Sequence, residues 1–483
     1  MNNKINNKLI ISSIIYKFIE KIGSKIVGFI IRIILARLLD PEVFGVIAIF
    51  MAIVAIMQTF VDSGMNIALI QNKTINVKDY SVVFYITFGI ALILYIYSYI
   101  TIPYFLSIFN MCGYEKQLRV LLIILFVYSF NSIQTAQLTR EMKFKQIFIC
   151  QLISNISSGI ISILVAFKGL GIWALIIHYI SNSIISCISY SFVTKWFPTL
   201  YFSFQRAKIF WGFGIKMLGS SLLTQLFTHI RTFTVGKVFS TSDLAYYSRG
   251  DQIPNLISST LNSVFKAVML PVYANKQDQI ESLLNTLRKT IRFNSFLIFP
   301  SMFGLSALAS SMVMILYTNK WIDCVPFVQV LSLANLSIAI TSPCLVSIQA
   351  IGRSDSYFRL EIVRRIIMLG ILVSSFLFKS LIAIAIGWLV SSFLDIFIVT
   401  WVVKKLLGYK IMMMLSDILP NIIMSIIIYI VIKVIGNLDI NIMITFIVQL
   451  ISGIISLLIC SVLFRNPNFY MIKSNIHKLI NIR

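Results

Sequence analysis

Basic side chains inside long apolar segments are the residues of this sequence best suited to chemistry. A cation at the centre of a bilayer costs about 2.5 to 3.5 kcal/mol, so it is retained there when it faces protein, water or an anion. Lysine binds phosphate as a mobile point charge and arginine binds it as a bidentate fork. Eight such cations fall in only three segments, and they are Lys17, Lys21, Lys25, Arg32, Lys216, Arg231, Arg249 and Lys266.

The first segment carries its charges on one side. At 100° per residue, Lys17, Glu20, Lys21, Lys25 and Arg32 occupy a helix face about 140° wide, and apolar residues fill the rest. Lys21, Lys25 and Lys216 are the main candidates for binding an anionic head group. For the cations nearer helix ends, snorkelling to the membrane interface is an open alternative, and these are Lys17, Arg32, Arg231, Arg249 and Lys266.

A second polar stripe runs along the eighth apolar segment. Asp251, Asn255, Ser259, Asn262 and Lys266 recur at intervals of 4, 4, 3 and 4 residues, which places them on one helix face. The amides of Asn255 and Asn262 suit the hydroxyl groups of a sugar. We therefore expect this helix to line a hydrated cavity.

Three carboxylates stand among these polar groups. Glu20, Asp62 and Asp251 could bind a proton or a sodium ion and so couple transport to an ion gradient. A structural alternative stays open for each: Glu20 could pair with a lysine one turn away, and the two aspartates could serve polar helix packing.

The composition excludes a water-soluble enzyme. The chain has 483 residues, of which 58% are hydrophobic and only 12% charged, with a formal net charge of +24. In a membrane protein the excess cations belong to cytoplasmic loops and lipid-facing surfaces, so no nucleic-acid partner is expected. Six cysteines without a C-x-x-C spacing and three scattered histidines predict no metal site, no disulfide framework and no cofactor. No phosphate-binding loop motif occurs, which argues against ATP hydrolysis.

Fourteen apolar stretches are long enough to span a membrane, and they predict an all-α polytopic membrane protein. The N-terminal stretch is interrupted by charges and is followed by no small-residue cleavage site, so we expect it to be a retained first helix. The two termini and the joints on their side of the membrane carry 25 lysines and arginines, and the joints on the other side carry 8. Because cytoplasmic loops carry the excess of basic residues, we expect both termini in the cytoplasm. The stretches lie near 9–36, 43–70, 80–102, 117–138, 146–167, 171–194, 209–236, 244–271, 290–317, 325–351, 358–378, 381–403, 416–436 and 442–464.

An internal repeat with a shift of 200 residues divides the sequence. The segment 37–45 aligns with 237–245, and each joins a polar helix to its successor. Because six spans separate the copies, the two lobes would share one orientation in the membrane, with the cavity between them. We predict an N-terminal lobe at 1–203, a C-terminal lobe at 204–405, and two extra helices with a cytoplasmic tail at 406–483.

The sequence resembles the polysaccharide-transporter family of Wzx-type oligosaccharide flippases, in the multidrug/oligosaccharidyl-lipid/polysaccharide exporter superfamily. The resemblance implies a fold similar to multidrug exporters and lipid II flippases. It implies export of undecaprenyl-pyrophosphate-linked oligosaccharide by alternating access, for O-antigen, capsule or exopolysaccharide assembly, without any covalent change. The motifs that carry it are Leu35–Gly45, Asp62-Ser63-Gly64, Ala68–Gln71, Arg140–Phe144 and Tyr246–Gly250.

The resemblance also implies partners and a location. These are the lipid-linked oligosaccharide, membrane lipid, and a polysaccharide polymerase with its chain-length regulator, in a bacterial cytoplasmic (inner) membrane. Two other functions are alternatives. A cation-coupled multidrug antiporter could use Asp62 or Asp251, but a positively charged cavity would repel its cationic substrates. A glycan polymerase or ligase would need a large external loop, and the external joints here are short.

Overall fold

The computed structural model describes residues 23, 25–72, 75–438, 441–470 and 474, and it describes the side chains of these residues except at 213 and 216. Within these ranges the chain forms helices, turns and bends, with no strand. The predicted all-α fold is therefore confirmed. The helices are α1 (25–38), α2 (Pro41–Asp62), α3 (Met65–Gln71), α4 (Val77–Ile108), α5 (Glu115–Leu121), α6 (Ile124–Arg140), α7 (Phe144–Phe167), α8 (Ile172–Thr194), α9 (Phe204–Val238), α10 (Thr241–Ala274), α11 (Ile280–Tyr317), α12 (Val325–Ala334), α13 (Ile338–Ala350), α14 (Ser354–Phe376), α15 (Leu381–Leu407), α16 (Ile411–Gly436) and α17 (Ile442–Leu463).

Membrane-spanning length and apolarity are found in eleven helical segments of the described chain. Two of these segments each consist of two consecutive helices, α5 with α6 in one and α12 with α13 in the other. The helices α9 and α14 are long enough but too polar to qualify, because α9 carries a polar stripe and α14 carries several charges. A polytopic membrane protein is thus confirmed, and the count of fourteen spans stays a prediction.

Two compact units divide the chain, one up to Ala245 and one from Tyr246. The boundary falls inside the continuous helix α10. The predicted division at 203 and 405 stays a prediction, and α9 packs against α2, α3 and α4 within the first unit.

Close helix packing in the first unit depends on glycines. A Cβ atom at Gly45 in α2 would lie 1.8 Å from the carbonyl oxygen of Thr241, and one at Gly214 in α9 would lie 2.4 Å from the carbonyl oxygen of Ser63. Real Cβ contacts never approach so closely, so only glycine permits these helix surfaces to meet. The Leu35–Gly45 and Asp62-Ser63-Gly64 motifs therefore contribute to packing.

The core of the second unit is built around α11. This helix packs against α12, α13, α16 and α17. It is buried over most of its length because its apolar residues face neighbours on several sides. The last two helices, which the sequence analysis set apart from the lobes, are thus integrated into this unit.

Candidate functional site

The polar stripe of α10 lies where the spacing predicted it, on one continuous helix. Asn255 and Lys266 are exposed. Asn262 is half-buried, and its Oδ1 accepts a hydrogen bond from the hydroxyl of Ser342 in α13. On the adjoining face, Ser258 Oγ donates to Asn335 Oδ1 at 2.7 Å. Hydrogen bonds to α13 and to Asn335 thus fix the helix, while Asn255 and Lys266 stay accessible.

Arg249, at the start of this stripe, contacts other residues of the second unit. Its side chain is buried and donates to Gln252 Oε1. The guanidinium carbon lies 5.9 Å from the ring centroid of Tyr317 and 5.7 Å from that of Trp321, which is a cation–π arrangement. These contacts favour a packing role for Arg249, and its assignment to substrate binding stays a prediction.

The basic face of the first segment is only partly described. Lys17, Glu20 and Lys21 lie outside the described residues, and so does the side chain of Lys216, whose backbone is part of α9. Three cations can be placed and are half-buried, Lys25 and Arg32 in α1 and Arg231 in α9. Arg32 Nε donates to the carbonyl oxygen of Gly28 at 2.9 Å, and Lys25 and Arg231 also interact within the chain.

Asp62 sits at a break between two helices. Ser63 and Gly64 have φ of 45° and 68°, a left-handed conformation that ends α2 and starts α3. Ser132 Oγ of α6 donates to Asp62 Oδ1 at 3.0 Å. The carboxylate is half-buried and also accepts a hydrogen bond from the backbone of Asn66. These bonds favour the structural role for Asp62, and its assignment to ion coupling stays a prediction, as does that of the half-buried Asp251.

Arg140 caps the short helix α3. One of its terminal nitrogens, Nη1, donates to the carbonyl oxygens of Leu69 at 2.9 Å and Asn72 at 2.5 Å. The last carbonyls of a helix have no partner within the helix and carry partial negative charge, so a guanidinium there supplies both a hydrogen bond and a favourable charge. The Arg140–Phe144 motif therefore holds α3 against α6.

The neighbouring carboxylate belongs to the turn that follows α6. Met142 has a φ of 55°, and Lys143 Nζ lies 2.5 Å from Glu141 Oε2. Burial alone would raise the pKa of Glu141, but hydrogen bonds from Lys143 and Gln137 outweigh it, so the pKa is lowered. Glu141 thus stays ionised at neutral pH, and its pair with Lys143 is a surface contact.

Four further charges lie together between α14 and α15. Arg364 donates through Nε and Nη2 to the carboxylate of Asp395, with 2.6 Å between Nη2 and Oδ2, and through Nη1 to Glu361. Arg365 Nε lies 3.5 Å from Glu361 Oε2. Arg364 and Asp395 have side chains only 19% exposed. We call these four residues the charged cluster.

Sequence reasoning missed this cluster. Arg364 and Arg365 fall inside the predicted stretch near 358–378, and α14, which starts at Ser354, carries both as helical residues. A signal was present: Glu361 with Arg364 and Arg365 at spacings of three and four is typical of paired charges on one helix face.

Metal-ligand clusters do not occur among the described residues, since no three His, Cys, Asp or Glu side chains converge there. The six cysteines, all within the described chain, are free thiols. The exposed polar groups of the α10 stripe are the amide of Asn255 and the ammonium group of Lys266. An amide binds by hydrogen bonding, and an ammonium group binds by hydrogen bonding and charge.

Comparisons with known proteins match large parts of the chain. Residues 34–326 match the family described as "Polysaccharide biosynthesis protein". The succinoglycan biosynthesis transport protein ExoT of Rhizobium meliloti (strain 1021) is 23% identical over 87% of this chain and 83% of its own length. The lipopolysaccharide biosynthesis protein WzxC of Escherichia coli (strain K12) is 20% identical over 79% of this chain and 78% of its own length. Among solved structures, the lipid II flippase MurJ in an inward closed conformation has a TM-score of 0.70 at 20% identity, covering 93% of this chain and 99% of that one.

Proposed function

Because the chain belongs to the polysaccharide biosynthesis protein family, as the resemblance in its sequence indicated, we propose that it is a flippase for lipid-linked oligosaccharides. It carries undecaprenyl-pyrophosphate-linked repeat units from the cytoplasmic to the outer leaflet by alternating access. The relatives named above for transport of succinoglycan and flipping of lipid II support this proposal. The prediction that the chain is a transporter and not an enzyme is confirmed by the same names.

The observation that carries the proposal is the accessible polar stripe of α10. Asn255 and Lys266 are exposed on this spanning helix and need water beside them, because lipid would leave these groups unsatisfied. An ammonium group suits a phosphate and an amide suits sugar hydroxyls, so both parts of the substrate find partners on one helix.

The anionic head group is assigned to the basic residues of three helices. Lys21, Lys25 and Lys216 are the primary ligands of the pyrophosphate, and Asn255 and Asn262 bind sugar hydroxyls. Glu20, Asp62 and Asp251 are the candidates for ion coupling. The secondary ligands of the pyrophosphate are Lys17, Arg32, Arg231, Arg249 and Lys266.

The membrane potential can drive this transport. Moving one negative charge outward across a potential that is negative inside releases about 2.3 kcal/mol per 100 mV. A doubly charged head group would therefore move without ATP hydrolysis. Any cation that accompanies it would reduce the net charge that crosses the membrane. We place the protein in the bacterial cytoplasmic membrane with both termini in the cytoplasm, on the excess of basic residues in alternate joints. A polysaccharide polymerase and its chain-length regulator are its partners in this scheme.

The test removes one accessible cation. Lys266→Ala and the control Lys168→Ala each delete one exposed lysine, the first in the stripe and the second in the joint between α7 and α8. Each variant is expressed in the host from which the chromosomal copy has been deleted. Lys266→Ala should reduce surface glycan at least tenfold by immunoblot while the amount of protein in the membrane is unchanged, and Lys168→Ala should restore it fully. Equal glycan from both variants, or normal glycan in the deletion strain, would overturn the proposal.

A further inference from the structure

A cavity of about 300 Å³ opens within the second unit beside the charged cluster. Asn335 and Thr341 form one wall, α14 forms another through the cluster, and α15 closes it with Trp388, Ser391 and Asp395. At about 30 Å³ per water molecule, the space is that of about ten waters, which is the scale of one sugar ring.

The cavity lies deep within its helices. Glu361 is seven residues past the start of α14, so it stands about 10 Å along that helix, and Asp395 stands about 18 Å from the end of α15 at Leu407. Asp395 is therefore near the middle of α15, and Glu361 lies about two turns inside α14. Charged groups at such depth are costly and mark substrate or ion pathways.

The charges of the wall cancel. Two guanidinium groups face two carboxylates, and both carboxylates are engaged by Arg364. A net positive wall would favour a phosphate and a net negative one a metal ion, but this wall offers hydrogen-bond donors and acceptors without net charge. That chemistry suits a neutral ligand with many hydroxyl groups, each of which both donates and accepts.

Hydrogen-bonding capacity remains after the cluster has formed. The described partners of Arg364 use three of the five N–H donors of its guanidinium. Each carboxylate oxygen can accept more than one hydrogen bond. Trp388 also lines the cavity, and its indole is an aromatic side chain of the kind that packs against the C–H face of a sugar ring.

We propose that this cavity binds one sugar residue of the transported oligosaccharide and selects for it. The inference rests on the proposed function, since it assumes a substrate that carries sugar. It assigns glycan recognition to Trp388 and the charged cluster, residues separate from the cations that bind the pyrophosphate. An apolar prenyl tail would desolvate four charges and is therefore excluded from this cavity.

The experiment measures sugar binding directly. Detergent-purified full-length protein is titrated at millimolar concentrations with the methyl glycosides of glucose, galactose, rhamnose, N-acetylglucosamine and glucuronic acid, and binding is read by saturation-transfer NMR. At least one glycoside should bind the wild type. Trp388→Ala should weaken that binding at least tenfold, and Trp388→Phe should keep most of it because the ring face remains.

The matched control is Trp401→Ala. Trp401 lies on the same helix α15, is 53% exposed, and stacks with Lys405 away from the cavity. This variant should bind the glycosides as the wild type does, which separates loss of the cavity from loss of fold. If no glycoside binds the wild type, or if Trp388→Ala binds as well as Trp401→Ala, the inference is wrong.

The same samples separate this inference from the proposed function. In proteoliposomes, transport of undecaprenyl pyrophosphate carrying the bound sugar tests the flippase itself. Absence of this transport in a wild type that binds glycoside through Trp388 would overturn the flippase and leave the cavity assignment standing. Transport that is equal in Trp388→Ala and wild type for sugar-bearing lipid would overturn the selective role.

Discussion

Arg288 and Asp417 join two helices of the second unit through a bidentate ion pair. Arg288 Nε and Nη2 each donate to one carboxylate oxygen of Asp417, and both distances are 2.9 Å. The Asp417 side chain is fully buried, and Arg292 Nε adds a third bond at 2.7 Å. Tyr409 donates from its hydroxyl to Oδ2 at 3.2 Å. This carboxylate is thus the junction at which α16 is fixed to α11.

Removal of this charge should destabilise the protein. Asp417→Asn keeps the size but loses the charge, so two guanidinium groups lose their counter-charge, and hydrogen bonds to charged groups are worth about 1.5 to 3 kcal/mol. We expect a lower thermal unfolding temperature of the purified variant in detergent. The control Asp278→Asn changes an exposed carboxylate in the turn between α10 and α11 and should unfold as the wild type does. Equal midpoints for the two variants would contradict the junction.

The cap on α3 gives a second prediction. Arg140→Ala removes the bonds to Leu69 and Asn72 and should lower stability by about 1 to 2 kcal/mol. Arg140→Lys keeps the charge but not the guanidinium geometry, so we expect an intermediate midpoint in the same thermal measurement. The control is Lys143→Ala, because an exposed pair such as that with Glu141 contributes about 0 to 1 kcal/mol. A Lys143→Ala effect as large as that of Arg140→Ala would speak against the cap.

Gly45 and Gly89 offer a matched pair of helix glycines. An alanine Cβ at position 45 would meet the backbone of Thr241, whereas at position 89 nothing lies within 4 Å. Gly89→Ala should therefore be neutral or stabilise by about 0.5 to 1 kcal/mol, since alanine favours helix. Gly45→Ala should sharply reduce the amount of folded protein, measured by fluorescence-detected size-exclusion chromatography. A normal monodisperse peak for Gly45→Ala would show that α2 and the start of α10 can separate without cost.

The sequence was sufficient to locate the helices because apolar runs of spanning length leave little choice. The residues at which helices start were harder to predict from the sequence. The predicted stretch near 290–317 begins ten residues after α11 does, since Ile280 to Lys289 form a polar first part that hydropathy does not register. Arg288 was therefore counted with a loop. The α10 stripe, by contrast, followed directly from its spacing, because residues three and four apart share a helix face whatever packs against them.

Pairing between distant segments could not be predicted from local pattern. Asp417 and Arg288 are 129 residues apart, and Asp395 and Arg364 belong to different helices. Each of these side chains considered alone is a single charge on a helix, with no partner that the local sequence identifies. Only the packing of α11 on α16 and of α14 on α15 makes them partners, and that packing depends on side-chain shapes along whole helices.

The charged cluster supplies the last prediction, which is a double-mutant cycle. Arg364→Met leaves Glu361 and Asp395 with only Arg365, and Asp395→Leu leaves two guanidinium groups with only Glu361. Each single variant therefore carries an uncompensated charge deep in its helices, which should cost about 3 kcal/mol. In the double variant the remaining Glu361 and Arg365, 3.5 Å apart, balance each other.

Recovery of stability should therefore accompany loss of sugar binding. We expect the double variant to unfold at a temperature near that of the wild type, because an apolar pair of similar volume replaces the ion pair. Glycoside binding should still be weakened, since the donors and acceptors of Arg364 and Asp395 are gone. Thermal unfolding and saturation-transfer NMR on the same four samples measure both quantities. A double variant that is less stable than either single variant would contradict the pairing, and one that binds glycoside like the wild type would remove these residues from the sugar site.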